Sequence, residues 1–359
     1  MHEHAGETGA PSLNRRDVLK GMGAVGAGAA GITATSESAE AGFLFGDCLA
    51  DWPEGLETRI DVRDSEPTEE GSVPGSGDLV LFVHGWLSDE IFGDLDVDGS
   101  AQAAGFEQAL DEEGVDAHLV PVMWDSMTTW TVAKWRADDA GETLARWLEA
   151  NADNYDSVSV FGHSLGTRVA LVALDKLADT DVTLDEVGLL SGAVDPESIC
   201  GQYDRGIDSS VEGTVYSYHS EDDPMVCTLY GIRELGSAVG CEGKECDDGG
   251  WFSDPDEPPE NYEDVDLSDR VLGHCNFYKA ESMDFDGESA VPELVDRQLA
   301  HLTNGTNPED DESSEDDSSD TEDSGSGGDG PGFTMPAVLA GVGGAAAAQK
   351  LRGSGEADN

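Results

Sequence analysis

Positive charge is what this chain has least of. Lysine and arginine together number 18 against 77 aspartates and glutamates, a formal net charge of −59 at pH 7. Nucleic-acid binding draws its electrostatic strength from cations set against phosphates, so this balance excludes nucleic acid as a partner. The acids are not confined to one tract; they run through the body of the chain as well as its tail. Self-repulsion on that scale destabilises a compact chain in dilute buffer. Molar salt shortens the Debye length to about 3 Å and removes most of that penalty. With arginine exceeding lysine as well, the composition predicts a protein adapted to high salt. Long apolar runs are scarce too. The run after Phe333 is about 16 residues, where a membrane span usually takes about 20. The six cysteines show no paired C-x-x-C spacing, which argues against a structural zinc site.

Against those absences stands "SVSVFGHSLGTRVALVAL", residues 157–174. Ser157 to Phe161 alternates and is rich in valine, which predicts a strand. From Leu165 the apolar residues Val169, Ala170, Val172 and Ala173 fall at helical spacing. Gly162-His163-Ser164-Leu165-Gly166 is therefore G-x-S-x-G in a strand-to-helix setting. A sharp turn there forces the serine backbone into strain and leaves no room for side chains two positions either side. It also lifts Oγ beside a helix N-terminus, where N–H groups favour developing negative charge. The bland alternative is a glycine-flanked turn with no chemistry.

This segment resembles the nucleophile elbow of the α/β-hydrolases, and the resemblance extends over roughly residues 55–303. It is most similar to α/β-hydrolases of halophilic archaea. The resemblance implies an α/β fold, a mostly parallel doubly wound sheet flanked by helices, with Ser164 as nucleophile. It places one oxyanion-hole amide at Leu165, after the nucleophile. The other lies in the loop after "DLVLFVHGW", at Trp86. His84 and Gly85 would shape that loop rather than act as base, and Gly162, His163 and Gly166 would frame the elbow.

The acid and base are expected to follow the serine in the order Ser, Asp, His. "YSYHSEDDPMV" resembles the family's acid turn, in which Asp is followed by two residues and then Val; that picks Asp223, with Val226 following. Asp222 and, one strand earlier, Asp195 remain rivals. Among the histidines, His2 and His4 lie in a leader, His118 in a strand pattern, and His219 just before the acid turn. His274, in the loop-like "GHCNF", and His301, on a late helical stretch, are left. A catalytic histidine needs a loop with a free edge toward the serine, which selects His274.

The ends of the chain read as processing signals. Arg15-Arg16 followed by Val18-Leu19-Lys20 and a weak Gly/Ala core resembles a twin-arginine export signal over residues 1–41, with Ala39-Glu40-Ala41 as the cleavage site. Such a protein crosses the membrane folded, through the twin-arginine translocase. The catalytic domain is expected over 42–303. Residues 304–332, rich in Ser, Asp and Glu, cannot bury a core and read as a disordered linker; Asn304-Gly305-Thr306 is a glycosylation sequon. Pro331-Gly332-Phe333 and the small-residue run over 333–359 resemble a sorting signal cut by an archaeal sortase. The resemblance implies a cell-surface, membrane-tethered protein.

Exported cysteines favour disulfides. Cys241 and Cys246 could close a small loop, and Cys227 with Cys275 could brace the acid and base loops; the sequence does not choose. "DLDVDG", Asp94 to Asp98 and Gly99, matches half a calcium loop, but position twelve is Gly105 rather than glutamate. No cofactor or metal is implied.

Strands are expected near 58–63, 79–84, 117–124, 157–162, 186–194 and 213–219, and helices near 101–112, 130–150, 165–178 and 291–302. In the amphipathic "WRADDAGETLARWL", Leu144, Trp147 and Leu148 should face inward. No insertion between Ala193 and Gly213 is long enough for a substantial lid, whereas 227–270 could cover the site. The leading functional expectation is a serine esterase acting on a small-molecule, lipid or polymer ester. An acyltransferase or peptidase shares its chemistry, and a surface-binding protein on an inactive fold is the rival from another class.

Overall fold

A computed structural model describes residues 48, 52–87, 99–246 and 257–303. The export signal, the linker, the C-terminal tail, the Asn304 sequon and Asp94–Asp98 lie outside the described residues. Eight strands form one sheet in the order β2-β1-β4-β3-β5-β6-β7-β8. They are β1 (Arg59–Asp61), β2 (Thr68–Glu70), β3 (Asp78–Val83), β4 (His118–Met123), β5 (Ser157–His163), β6 (Glu186–Leu190), β7 (Val215–His219) and β8 (Tyr262–Asp266). Only the edge pair β1–β2 is antiparallel; every other ladder is parallel.

Helices α1 (Gly99–Glu112), α2 (Trp130–Asn151) and α3 (Gly166–Leu177) connect β3 to β4, β4 to β5 and β5 to β6. Both faces of the sheet are covered, which is why β3 reads as an unbroken apolar run from Leu79 and why even the serines of the alternating β5 are buried. Leu79, Leu81 and Val83 of β3 enter one core with Val158 and Val160 of β5, beneath α2 and α3. Val80, Phe82 and Phe161 enter the other, with Phe106 of α1 and Leu294 and Leu299 of the last helical stretch. Leu144, Trp147 and Leu148 are buried as their spacing requires. This is an α/β-hydrolase fold, with strand order reversing between β3 and β5. A crevice outside the carboxyl ends of the strands at such a switch point is the usual ligand site.

Two strands escape sequence reading. β2 is three residues of "TEE" on an edge. β8, "YEDVD", is an acidic edge strand in which Tyr262 and Val265 are buried while Glu263 and Asp266 are exposed. It therefore completes the sheet, and its part of 227–270 does not cover the site. The last helical stretch breaks into α-helix (Val291–Leu294), π-helical turn (Val295–Leu299) and 3₁₀ turn (Ala300–Leu302). Strand β6 stops at Leu190, short of 194, because Ser191 turns into the left-handed region at φ 47°.

All six cysteines are paired, as Cys48–Cys275, Cys200–Cys246 and Cys227–Cys241. The two pairings suggested by nearness in sequence are both replaced. Gly243, at φ 78°, turns the chain after Cys241 and sends Cys246 toward Cys200. Cys227 reaches the short helix Val239–Glu242 that carries Cys241, and Cys275 reaches back to Cys48 across a separation of 227 residues.

One contact sets how closely β5 and α3 approach β3. A Cβ on Gly166 would lie 2.2 Å from the Val83 carbonyl oxygen and 2.6 Å from that of His84. Gly166→Ala should therefore lower the unfolding free energy by about 1–3 kcal/mol, whereas Gly75→Ala, with nothing within 4 Å, should cost little. Denaturant titrations of the two variants check this; equal midpoints would contradict so close an approach.

Candidate active site

The site is assembled at the carboxyl ends of β3, β5, β6 and β7. Ser164 follows β5 directly and sits at φ 54°, a left-handed conformation that a β-carbon disfavours. Three backbone bonds hold it there. Its N–H donates to the Leu190 carbonyl at 2.9 Å, and its carbonyl accepts from Thr167 at 3.1 Å and Ala193 at 3.0 Å. The flanking glycines have no room for a side chain. A Cβ on Gly162 would lie 2.7 Å from the Gly166 carbonyl oxygen, and one on Gly85 would lie 2.9 Å from Ser164 Cβ. Leu165, next in the chain, is buried beneath the start of α3.

Asp223 is fully buried. Its Oδ2 accepts a hydrogen bond from His274 Nδ1 at 2.7 Å. Its Oδ1 accepts from the backbone N–H groups of Met225 at 2.9 Å and Val226 at 3.4 Å. The acid turn thus uses the residues after Asp223 as donors. A carboxylate accepts, so this bond assigns His274 Nδ1 as the donor toward Asp223. Asp222 is exposed and its Oδ2 accepts instead from the Asp269 N–H at 2.8 Å. Asp195 is exposed as well and accepts from the Glu197 N–H at 3.0 Å. His301 is exposed on the last 3₁₀ turn.

Sequence reading missed one member of this group. Ser191, buried in full, donates its hydroxyl proton to Asp223 Oδ2, and its Oγ lies 3.2 Å from His274 Nδ1. It occupies the end of β6, one strand before the acid. Nothing local marks it, because its partners come from β7 and the loop at residue 274. A serine after an apolar strand, followed by glycine, was the only available signal.

The remaining histidines are structural neighbours. His84 stacks on Trp124 with ring centroids 5.7 Å apart, and its ring packs on the backbone of Gly99, where a Cβ would come within 2.3 Å. Trp124 Nε1 donates to the His84 carbonyl at 2.8 Å. His163 packs on the His274 ring at 4.5 Å, and its Nε2 donates to the His274 carbonyl at 3.0 Å. Burial, and then the neighbouring His274, holds the His163 imidazole well below the usual histidine range, so it stays neutral. Trp86 is anchored by a bond from Nε1 to the Thr128 carbonyl at 2.7 Å and packs edge-on against Trp130.

Ser164 and His274 open onto one cleft. Its walls include Trp86, Trp130, Met225, Leu229 and Tyr230, with Gln102, Arg233 and the Cys48–Cys275 disulfide also at its lining. The segment Met225–Tyr230, a π-helical turn running into the helix Gly231–Glu234, contributes several of these lining residues.

Residues 12–31 match the family model of the TAT (twin-arginine translocation) pathway signal sequence. The chain carries a twin-arginine export signal. No curated protein matches it. Among solved structures it is similar to the HSL-homolog EstE7 from a metagenome library, at 14% identity over 81% of this chain and 99% of that one, with a TM-score of 0.40. It is also similar to a hyperthermophilic esterase from the archaeon Pyrobaculum calidifontis, at 13% identity, 75% and 92% coverage and a TM-score of 0.38. A third is Est1E from Butyrivibrio proteoclasticus, at 13% identity, 63% and 90% coverage and a TM-score of 0.35. Likenesses this weak carry no assignment of activity.

The neutral, buried His163 has a consequence for stability. Its folded pKa is depressed, so the unfolded chain takes up a proton that the folded chain refuses. The resulting stability is present above the unfolded value of about 6.5 and is lost as pH falls below it. His163→Gln should reduce the drop in unfolding free energy between pH 7 and pH 5 by about 1–2 kcal/mol. Denaturant titrations of both proteins at the two pH values check this.

Proposed function

We propose that this chain is an exported serine hydrolase that cleaves a carboxylic ester through Ser164, His274 and Asp223. The observation that carries the reading is the bond from His274 Nδ1 to the buried Asp223, on a cleft that Ser164 also lines. His274 Nε2 takes the Ser164 proton as Oγ attacks the acyl carbon, and Asp223 holds the imidazole tautomer and stabilises its cation. The backbone amides of Leu165 and Trp86 receive the developing oxyanion; one such donor is typically worth about 3–4 kcal/mol of barrier. His274 then gives the proton to the leaving alcohol, and water releases the acyl group by the same steps in reverse.

Ser191 is a positioning residue in this scheme. It occupies the second lone-pair direction of Asp223 Oδ2 and keeps the carboxylate turned toward His274. The wider reading includes life in high salt, argued from the net charge of −59, and tethering at the cell surface after sortase processing of the tail, argued from Pro331-Gly332-Phe333.

A fluorophosphonate probe in molar KCl should label the wild-type protein, and Ser164→Ala or His274→Ala should abolish labelling and lower kcat on simple esters by about 10⁴-fold. A folded wild-type protein that takes no label would sink the enzyme reading. Ser191→Ala should retain labelling but lower kcat by about tenfold and move the acidic limb of the kcat/KM profile. An unmoved limb would leave Ser191 with a packing role alone.

A further inference from the structure

Arg233 stands apart from the other cations of this chain. Elsewhere among the described residues such side chains usually face carboxylates, as Arg168 does on Asp138, Arg270 on Glu288 and Arg297 on Glu293. Arg233 has no carboxylate or hydrogen-bond partner among the described residues. Its guanidinium lies 5.7 Å from the centre of the Trp86 ring, on the lining of the cleft that holds Ser164 and His274.

The adjacent Glu234 is committed elsewhere, accepting from Lys134 Nζ at 2.6 Å and from Trp130 Nε1 at 2.5 Å. The other neighbours are apolar. Ile232 and Leu235, close to Arg233 in the chain, are exposed at 68% and 94%. Arg233 is itself exposed, and the planar fork of a guanidinium matches a carboxylate or phosphate. Deeper in the cleft, Gln102 is buried with an Oε1 that has no hydrogen-bond partner, a further polar group left over by the fold.

We propose that Arg233 is the anion-recognition residue of this cleft, and that the substrate is an ester carrying a carboxylate or phosphate on the part that lies toward Arg233. The inference rests on the hydrolase reading above and deepens it. Molar salt screens the long-range field of a net charge of −59, so an anion is recognised only by a cation at the point of binding. Arg233 lines the cleft with no carboxylate partner among the described residues.

The test compares matched esters that differ in one charge. On the acyl side the pair is 4-nitrophenyl hydrogen adipate against 4-nitrophenyl hexanoate; on the alcohol side it is 4-acetoxybenzoate against phenyl acetate. For one of the pairs, Arg233→Ala should lower the ratio of anionic to neutral kcat/KM by about tenfold or more, and Arg233→Lys should restore part of it. The pair that responds tells which side of the ester carries the anion. A change of less than about fivefold in both ratios overturns the proposal.

Titration calorimetry of the Ser164→Ala protein with monomethyl adipate reads the same subsite without the chemistry. Heat that Arg233→Ala removes supports it even if the wild-type protein hydrolyses nothing, in which case the hydrolase reading fails alone. If the wild-type protein hydrolyses both esters of each pair and neither ratio nor heat depends on Arg233, the subsite fails and the hydrolase reading stands.

Discussion

A carboxylate removed from water must be given partners, and much of this site is arranged around that demand at Asp223. A charge buried without compensation costs several kcal/mol or changes its protonation. Asp223 is compensated by four donors: His274, Ser191 and the N–H groups of Met225 and Val226. Each donor is held by something distant in sequence. Ser191 takes a left-handed turn at the end of β6, and the helix carrying Gly240 crosses it so closely that a Cβ there would come within 2.3 Å. The Cys227–Cys241 bridge ties that helix to the turn after Asp223, and Cys48–Cys275 ties down the residue beside His274.

The second constraint is clearance between β3, β5 and α3. Strand order reverses between β3 and β5, so the elbow and the His84-Gly85-Trp86 loop meet at the head of the sheet. Gly85, Gly162 and Gly166 each give way to neighbouring atoms that a side chain would strike. The strain at Ser164 persists because the ladder continues past it, through the bond from its N–H to Leu190. Strained backbone, buried carboxylate and glycine contacts thus support one arrangement of Ser164 relative to β6.

Charge organises the molecule on a larger scale. Most described cations on the surface are paired with the abundant acids, while the lining of the cleft presents Arg233 over the Trp86 ring. Three disulfides join segments that a chain repelling itself would otherwise release more easily. They are compatible with passage through the twin-arginine route and life outside the cytoplasm.

The sequence by itself determined the elements whose causes are local. The valine-rich strand, the G-x-S-x-G turn and the helix after it are legible in residues 157–177, because period, turn sterics and helix spacing act within a few residues. The twin-arginine signal is legible for the same reason. The loop setting of "GHCNF" was enough to propose His274, while Asp223 was proposed from a resemblance to the family's acid turn, with Asp222 and Asp195 as rivals.

Only the tertiary structure decided what depends on parts brought together from afar. Disulfide pairing was out of reach, since Cys275 lies 227 residues from Cys48 and a turn at Gly243 diverts Cys246 from its neighbour. Edge strand β8 was hidden by its acids, which an edge tolerates and a central strand does not. Ser191 and Arg233 acquire meaning only in three dimensions, the first from a carboxylate on the next strand's loop, the second from its place on the lining of the cleft.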